Sequence, residues 1–236
     1  MKPIIGILGR KTTTADAVPF EGNIVVYDYM DALTEADVNY IGLISDRNYK
    51  DIDPRILDLC DGFIFPGGSE IKPYHYKVIE YALKNKTPFL GICLGSQAIG
   101  LYFKEEKVLR SVTELDSSKQ INHLPEIKDK DDRSTLSHKV NIKTGTLLYQ
   151  LFGEELETNG RHNFALEKID YPLEVAAQTD DGIIEAVELV DKSHFMVGVQ
   201  WHPENMESMK PLFDVFVNNT IRYSCNKNRQ KTGQTM

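Results

Sequence analysis

Short apolar runs bounded by turn residues alternate, through the first hundred residues, with stretches in which apolar side chains recur every three or four positions. This alternation is typical of strand-helix-strand units, in which parallel strands form one sheet and helices cover its faces. The run Phe63-Ile64-Phe65 has no polar alternation, as expected for a central strand that is buried on both faces. The pattern therefore predicts strands at residues 4–8, 40–44, 62–65 and 88–92.

The second half of the chain has a different pattern. Residues 105–137 are charged and lack periodicity, which indicates a mobile loop region that could also close over a substrate. Residues 174–178 and 183–188 then flank Asp181-Gly182, a dipeptide suited to a tight hairpin turn, and further runs occupy 138–143 and 194–200. We therefore predict antiparallel strands here, followed by a helix from Met209 to Thr220 and a flexible tail at 224–236.

Length and charge narrow the classes of function. The 236 residues suffice for one large domain or two small ones, and since no linker is visible we predict one domain at residues 1–223. Acidic residues number 35 and basic residues 27, and the formal charge of −8 argues against binding to nucleic acid or to an anionic membrane surface. No apolar run is long enough for a membrane span or a secretory signal.

Cysteines and histidines bear on location and metal binding. The chain has three cysteines, Cys60, Cys93 and Cys225, and no Cys-x-x-Cys pair. This odd number argues against a disulfide framework and against a zinc site built from cysteines, and it favours a location in the cytoplasm. Four histidines are spread along the chain without the spacing of metal ligands: His75, His123, His138 and His194. The sequence therefore predicts neither a metal nor a cofactor.

The strongest local signal is the segment Gly91-Ile92-Cys93-Leu94-Gly95, where an apolar strand runs into a helical pattern. A strand that turns sharply into a helix needs small residues two positions before and after the turn, because neighbouring strands lie close to them. A thiol at a helix N-terminus also faces unpaired N–H groups that favour the nucleophilic thiolate. Cys93 is therefore the predicted nucleophile, whereas a cysteine without such glycines is usually a small buried hydrophobe.

His202 and Glu204 follow an apolar run at residues 197–199. Residues two apart in extended chain point to the same side, about 6–7 Å apart, so Glu204 can reach one imidazole nitrogen while the other faces the thiol. Pro203 between them restricts His202 to an extended backbone. A lone histidine at a strand end is more often structural, but with Cys93 present the pattern predicts the nucleophile, base and orienting carboxylate of a triad.

Two glycines in Pro66-Gly67-Gly68 follow the predicted strand 62–65. Acyl transfer from an amide generates an oxyanion, and each backbone N–H aimed at it contributes about 2.7–4 kcal/mol. The predicted donors are the N–H of Leu94 and one N–H from Gly67 or Gly68. By itself the tripeptide is a weak signal, since most such tripeptides form simple turns.

Taken together, these three fragments resemble the class I glutamine amidotransferase superfamily in order and spacing. Residues 2–7, 158–162 and 181–188 resemble one branch of it, the γ-glutamyl-γ-aminobutyrate hydrolases, which are γ-glutamyl hydrolase-type cysteine peptidases. The resemblance covers residues 2–221. It implies a flavodoxin-like, three-layer α/β fold, with a mostly parallel central sheet and an antiparallel portion in the second half, and it makes residues 1–223 the catalytic domain.

The same resemblance implies residue roles. Cys93 would accept the acyl group, His202 would act first as base and then as acid, and Glu204 would orient His202. Gln97 and His162 resemble positions near the γ-glutamyl pocket. The chain departs from that branch near the pocket, with Asn163-Phe164 in place of a second histidine and a glutamine, and residues 69–72 in place of acidic residues.

Three functions follow from this pattern. The first is a hydrolase that cleaves a small-molecule γ-glutamyl amide through a thioester and releases an amine and glutamate. The second is a glutaminase subunit that supplies ammonia from glutamine to a partner synthetase. The third is a non-catalytic regulatory protein that has kept the turn at Cys93 as a scaffold. The sequence favours the first, and it leaves the amine half of the substrate and a homo-oligomeric state open.

Overall fold

The computed structural model describes residues 2–13, 21–114, 121–125, 133–231 and 233. Its strands are β1 (Ile4–Leu8), β2 (Arg10–Thr13), β3 (Glu21–Ile24), β4 (Asn39–Leu43), β5 (Gly62–Phe65), β6 (Phe89–Ile92), β7 (Arg110–Ser111), β8 (His138–Ile142), β9 (Glu155–Thr158), β10 (Phe164–Ala165), β11 (Leu173–Gln178), β12 (Ile184–Leu189) and β13 (Met196–Val199). Its helices are α1 (Tyr27–Asp31), α2 (Pro54–Leu57), α3 (Pro73–Asn85), α4 (Leu94–Tyr102), α5 (Leu147–Phe152) and α6 (Lys210–Lys231).

Nine strands form the central sheet, in the order β4-β1-β5-β6-β13-β12-β11-β8-β9. The five strands from β4 to β13 run parallel to one another. From β13 to β9 every neighbouring pair is antiparallel. The predicted combination of a mostly parallel sheet with an antiparallel portion in the second half is therefore confirmed.

Helices cover both faces of this sheet. On one face α3 and α4 bury Val78 and Ile99 in a core that also contains Phe63 and Phe89. On the other face α1, α5 and α6 contribute to a second core with these side chains: Tyr29, Leu33, Leu148, Leu212 and Phe216. The three-layer arrangement expected from the sequence follows, since each helix buries its apolar stripe against one side of the sheet.

The carboxyl ends of the central strands bring the predicted site together. In the pairing of β6 with its neighbours, Gly91 lies opposite Phe65 of β5 and Gly198 of β13. The segments that directly follow these three strands, residues 66–68, 93–95 and 200–204, therefore leave the sheet at the same edge. Open α/β sheets generally bind ligands at this edge.

The predicted tail at residues 224–236 is wrong over most of its length, because α6 continues to Lys231. Polar contacts with one buried carboxylate anchor this part of the helix. Ser224 Oγ donates to Asp61 Oδ2 at 3.0 Å, and Lys227 Nζ donates to Asp61 Oδ1 at 3.0 Å. Because these contacts are polar and join residues far apart in the sequence, the pattern of apolar residues does not predict this part of the helix. Residues 232 and 234–236 lie outside the described part of the chain.

The predicted loop at residues 105–137 is described only in part. Residues 115–120 and 126–132 lie outside the described residues, and with them most of the charged run that suggested a loop closing over substrate. Within the described portion, β7 pairs with β10 in a two-stranded sheet that the sequence did not predict. Across the described residues, no helix combines the length and the apolar character that crossing a membrane requires.

Candidate active site

Cys93 lies at the sharp turn between β6 and α4. Its backbone has φ 52° and ψ −102°, a positive φ that is uncommon for a residue other than glycine. The Cys93 N–H donates to the carbonyl of Val199 at 2.8 Å, which holds the strained turn against β13. Backbone strain of this kind persists only where the surrounding structure enforces it, and it is concentrated at active sites.

Gly95 meets the steric requirement that the sequence predicted. A Cβ at Gly95 would lie 2.1 Å from the carbonyl oxygen of Phe65, far inside van der Waals contact. A Cβ at Gly91 would lie 2.7 Å from the carbonyl group of Gly95. The turn packs backbone against backbone at both positions. A side chain at Gly95 would push α4 away from β5, and one at Gly91 would push α4 away from β6.

The imidazole of His202 is oriented by a carboxylate and by its own backbone. His202 Nδ1–H donates to Glu204 Oε1 at 2.7 Å, and the Glu204 side chain is only 3% exposed. The amide side chain of Asn159 donates to the His202 carbonyl at 2.9 Å and accepts from the His202 N–H at 3.0 Å. These contacts fix the ring with Nδ1 toward Glu204, which leaves Nε2 for the thiol.

The electrostatics of this pair favour a protonated imidazole. Burial lowers the pKa of His202, but the charge of Glu204 and hydrogen bonds to Cys93 and Glu204 outweigh it, and the pKa rises to about 9. At neutral pH a positive charge therefore lies beside the Cys93 sulfur. Gly67 lies against both residues, because a Cβ there would be 2.9 Å from His202 Cε1 and 3.6 Å from Cys93 Cβ.

A cavity of about 570 Å³ opens beside Cys93 and His202. Its lining is rich in cationic side chains: Arg10, Lys11, Lys72 and Arg161. Lys11 pairs with Glu21 at 2.5 Å and Lys72 pairs with Glu70 at 2.5 Å, so their charges are partly neutralised. The sequence did not single out Arg10 or Arg161 as binding residues, although Arg10 begins the strand that follows β1. This lining suits a substrate that carries a carboxylate.

The predicted oxyanion donors have different surroundings. Leu94, Gly67 and Gly68 all line the cavity. Leu94 is the first residue of α4, so its N–H has no acceptor within the helix. The Gly67 N–H, however, donates to the hydroxyl of Tyr29 at 3.0 Å. Burial, with the nearby charge of Glu204, raises the pKa of Tyr29 well above its ordinary value, so this hydroxyl stays protonated.

Gln97 and His162, which resemble γ-glutamyl-pocket positions, lie behind this cavity and do not line it. Both are 4% exposed. Gln97 Nε2 donates to the carbonyl of Phe164 at 2.7 Å and to Gln200 Oε1 at 3.0 Å, and His162 Nδ1–H donates to the same carbonyl at 3.1 Å. Gln200 Nε2 in turn contacts Cys93 Sγ at 3.5 Å, which the sequence did not predict. The contact of Gln97 and His162 with substrate stays a prediction.

Two of the four histidines that the sequence placed apart are in fact neighbours. His123 and His138 have ring centroids 4.5 Å apart, and both lie within contact of His162 and Glu185. The prediction of scattered histidines is therefore wrong for this pair, because the sheet brings distant segments together. His194 is separate from the group and donates to the carbonyl of Thr87 at 2.9 Å.

Known proteins are similar to this chain in sequence and in fold. A sequence model of the Peptidase C26 family matches residues 3–79 and 74–204. Protein NtpR of Enterococcus hirae is 28% identical, over 92% of this chain and 99% of its own length. A CTP synthase of Shouchella clausii is 30% identical, over 82% of this chain but 40% of its own length. The similarity thus covers nearly all of the first relative and less than half of the second.

Solved structures show the same fold. The glutaminase domain of CTPS from Trypanosoma brucei, solved with bound acivicin, has a TM-score of 0.63 with this chain at 17% identity. The match covers 97% of this chain and 94% of that domain. The mixed α/β architecture with its large central sheet is therefore shared over the whole described domain, although the two sequences have diverged widely.

Proposed function

Because the chain belongs to the Peptidase C26 family, within the class I glutamine amidotransferase-like superfamily, we propose that it is a cysteine hydrolase that cleaves γ-glutamyl amide bonds. One observation carries the proposal. Cys93 lies at a strained strand-to-helix turn beside His202, and the imidazole of His202 is held by Glu204 at 2.7 Å. This arrangement is the general signature of an activated nucleophile with its base and orienting group.

The proposed reaction has two halves. Cys93 Sγ attacks the γ-carbonyl carbon, and the resulting oxyanion accepts hydrogen bonds from backbone N–H groups. We assign these donors to Leu94 and Gly68, since the Gly67 N–H is engaged by Tyr29. His202 protonates the departing amine and leaves a γ-glutamyl thioester. His202 then removes a proton from water, which attacks the thioester and releases glutamate and the free thiol.

Cationic side chains supply the binding half of the proposal. A γ-glutamyl group carries an α-carboxylate at the end opposite the scissile bond. Arg10 lines the cavity with its guanidinium beside the Gly67 carbonyl, at 3.5 Å from Nη1, and Arg161 lines the same cavity. We propose that these two arginines bind the α-carboxylate, because guanidinium groups match carboxylate geometry with paired hydrogen bonds.

A second function has its own support. CTP synthase, of which this chain matches 40% of the length, and the glutaminase domain from Trypanosoma brucei resemble this chain. A glutaminase subunit that delivers ammonia to a partner synthetase would use the same Cys93 and His202. We favour the hydrolase, because the family model that matches most of the chain is that of a peptidase.

The reaction also constrains the compartment. The three cysteines are free thiols, and Cys93 attacks only in its reduced form. Burial raises the pKa of the Cys60 thiol to about 12, so Cys60 stays a protonated core residue at neutral pH. We therefore place the reaction in a reducing compartment, the cytoplasm.

A substrate panel separates the two functions. Glutamate release is measured with γ-glutamyl amines, with glutamine and with the isomeric α-glutamyl amines as a matched control. We expect the kcat/KM for γ-glutamyl amines to exceed that for glutamine at least tenfold, and α-glutamyl isomers to be inert. Preference for glutamine, with a rate that rises when a synthetase is added, would support the second function. If no γ-glutamyl compound releases glutamate, both proposed functions are contradicted.

Replacing Glu204 by glutamine should lower kcat by at least about 10²-fold and change its pH dependence. The carboxylate raises the pKa of His202 to about 9. The protonated imidazole, needed to protonate the amine, is therefore lost only as pH rises through about 9 in the parent protein. Without the carboxylate this pKa falls, so the alkaline limb of kcat/KM should move to lower pH.

The same pKa shift makes stability depend on pH. Because the folded-state pKa of His202 lies above the ordinary 6.5, the stabilisation from its proton is complete below pH 6.5 and lost as pH rises toward 9. Glu204→Gln should remove this slope from unfolding curves measured across that range. Glu207→Gln, an exposed change three residues away, is the control and should leave both profiles unchanged. An unmoved alkaline limb in Glu204→Gln would contradict the assigned role.

A further inference from the structure

Four buried side chains converge behind the candidate active site. His123 lies in the described segment 121–125, His138 begins β8, His162 follows β9, and Glu185 lies within β12. None is more than 7% exposed, and Glu185 is fully buried. Oxygen Oε1 of Glu185 lies 3.1 Å from His123 Nδ1, 3.1 Å from His138 Nε2 and 3.3 Å from His162 Nε2. One potential ligand atom from each residue lies within 4.8 Å of all the others.

The three distances from Glu185 Oε1 match those between ligand atoms that share a metal ion. Zinc binds imidazole nitrogen and carboxylate oxygen at about 2.0–2.2 Å, and tetrahedral ligands at such distances are roughly 3.3 Å apart. Hydrogen bonding satisfies only part of the cluster, through the contact of His162 Nε2 with Glu185 Oε1 at 3.3 Å. Within the described residues, His123 Nδ1, His138 Nε2 and Glu185 Oε2 are buried without a hydrogen-bond partner. Buried polar atoms are seldom left unpaired, so the inward atoms have the character of metal ligands.

The outward nitrogen of each histidine is fixed by a second contact. His123 Nε2–H donates to Asp181 Oδ2 at 3.0 Å, and His162 Nδ1–H donates to the Phe164 carbonyl at 3.1 Å. His138 Nδ1 contacts Ser137 Oγ at 2.9 Å, whose own proton goes to the Thr158 carbonyl at 3.1 Å. Each ring thus has an outer nitrogen with a polar partner and turns its other nitrogen toward Glu185, as metal-bound histidines generally do.

We propose that His123, His138, His162 and Glu185 bind one divalent transition-metal ion, and that Zn²⁺ is the best fit. Three imidazoles and a carboxylate suit zinc, and four protein ligands complete a tetrahedral shell without an open position. Such a closed, buried site is structural and does not take part in the reaction at Cys93. As a metal ligand, His162 would have both ring nitrogens engaged and would not bind substrate, in contrast to the role that the family resemblance implies. The metal also offsets the charge of Glu185, which is costly to bury alone.

The ion would join four segments into the wall behind the nucleophile. The Glu185 carbonyl accepts from the Gln200 N–H at 2.7 Å, and Gln200 contacts Cys93 Sγ at 3.5 Å. The carbonyl of Phe164, which accepts from His162, also accepts from Gln97 at 2.7 Å. Metal removal should therefore loosen the segment that carries His123 and lower stability, without removing any group that we assign to the chemistry.

The full-length protein tests the proposal directly. The purified protein is stripped with a chelator, checked for folding by circular dichroism, and titrated with Zn²⁺ and with Co²⁺. We expect one equivalent of either ion, a visible absorption band of tetrahedral Co²⁺ that Zn²⁺ abolishes, and a rise in melting temperature. A folded apoprotein that binds less than a tenth of an equivalent, with no Co²⁺ band, would overturn the proposal in favour of a buried ion-pair cluster.

Variants then locate the ion. Glu185→Gln keeps the size of the side chain and should weaken Co²⁺ binding by at least about tenfold. Even the loss of a residue that only hydrogen-bonds to a metal ligand typically lowers metal affinity by about that much. His194→Gln changes a buried histidine outside the cluster, and Cys93→Ala removes the reactive thiol as a competing ligand. Both controls should keep the full stoichiometry. Loss of the Co²⁺ band in Cys93→Ala, or an unchanged affinity in Glu185→Gln, would place the ion elsewhere and overturn the assignment.

Discussion

Cys93→Ala should reduce glutamate release from γ-glutamyl substrates by at least about 10³-fold, and by up to about 10⁶-fold if water attack in the same cavity contributes little. The reason is chemical: without sulfur no thioester forms, and no other described side chain next to His202 supplies a nucleophile in its place. Cys60 cannot substitute, because it is buried before the start of β5, at the edge of the sheet opposite to that of Cys93. Rates are measured under saturating substrate, with mass spectrometry of quenched parent enzyme to detect the acylated protein.

Cys225→Ala is the matched control, since Cys225 is an exposed free thiol in α6. We expect this variant to keep the parental rate and to show the same acyl adduct. In the parent protein the adduct should map to the peptide that contains Cys93. A Cys93→Ala protein that is folded and retains more than a tenth of the parental rate would contradict covalent catalysis by this thiol.

Gly95→Ala should be strongly destabilising, by about 3 kcal/mol or more. Its Cβ would lie 2.1 Å from the carbonyl oxygen of Phe65, so β5 and α4 would have to separate. This separation would also displace the Cys93 turn, and activity should fall together with stability. Chemical unfolding curves give the free energy of unfolding, and glutamate release measured well below the midpoint reports the activity of the folded fraction.

Gly100→Ala provides the comparison within the same helix. The three atoms nearest to a Cβ at Gly100 all belong to the side chain of Leu166, the first of them Cδ1 at 2.3 Å. A side chain can rotate away where a backbone carbonyl cannot. We expect the loss of stability to be clearly smaller than in Gly95→Ala, with kcat preserved. Equal losses in the two variants would show that the contact with Phe65 is not what requires glycine at position 95.

The sequence predicted the elements whose signals are local. β1 and β5 begin and end where the apolar runs do. Because these strands are buried on both faces, their sequences are apolar throughout and can be recognised without knowing which strands they pair with. The hairpin of β11 and β12 was evident from Asp181-Gly182, and Gly182 has a φ of 87°. The turn at Cys93 was predictable for the same reason, since a strand, two flanking glycines and a helix all fall within a few residues.

Features that depend on distant contacts were missed. The extension of α6 rests on Lys227 and Ser224 reaching Asp61, far away in the chain. Tyr29 reaches Gly67 across 38 residues and Asn159 reaches His202 across 43, so these contacts too lie beyond any local pattern. The cluster around Glu185 draws its histidines from separate segments, so no ligand spacing exists in the sequence. Side-chain pairing across a sheet is a property of topology, which local patterns do not encode.

The place of β13 has a consequence for biogenesis. This strand is the last of those described, yet it lies between β6 and β12 in the interior of the sheet. A nascent polypeptide that has not yet emerged from the ribosome through Val199 therefore exposes two unpaired strand edges of the kind that promote aggregation. Such a polypeptide also lacks His202, which follows Val199, so Cys93 has no imidazole partner in it. The strand that closes the sheet is therefore made after every other described strand, and Cys93 can meet His202 only from that point on.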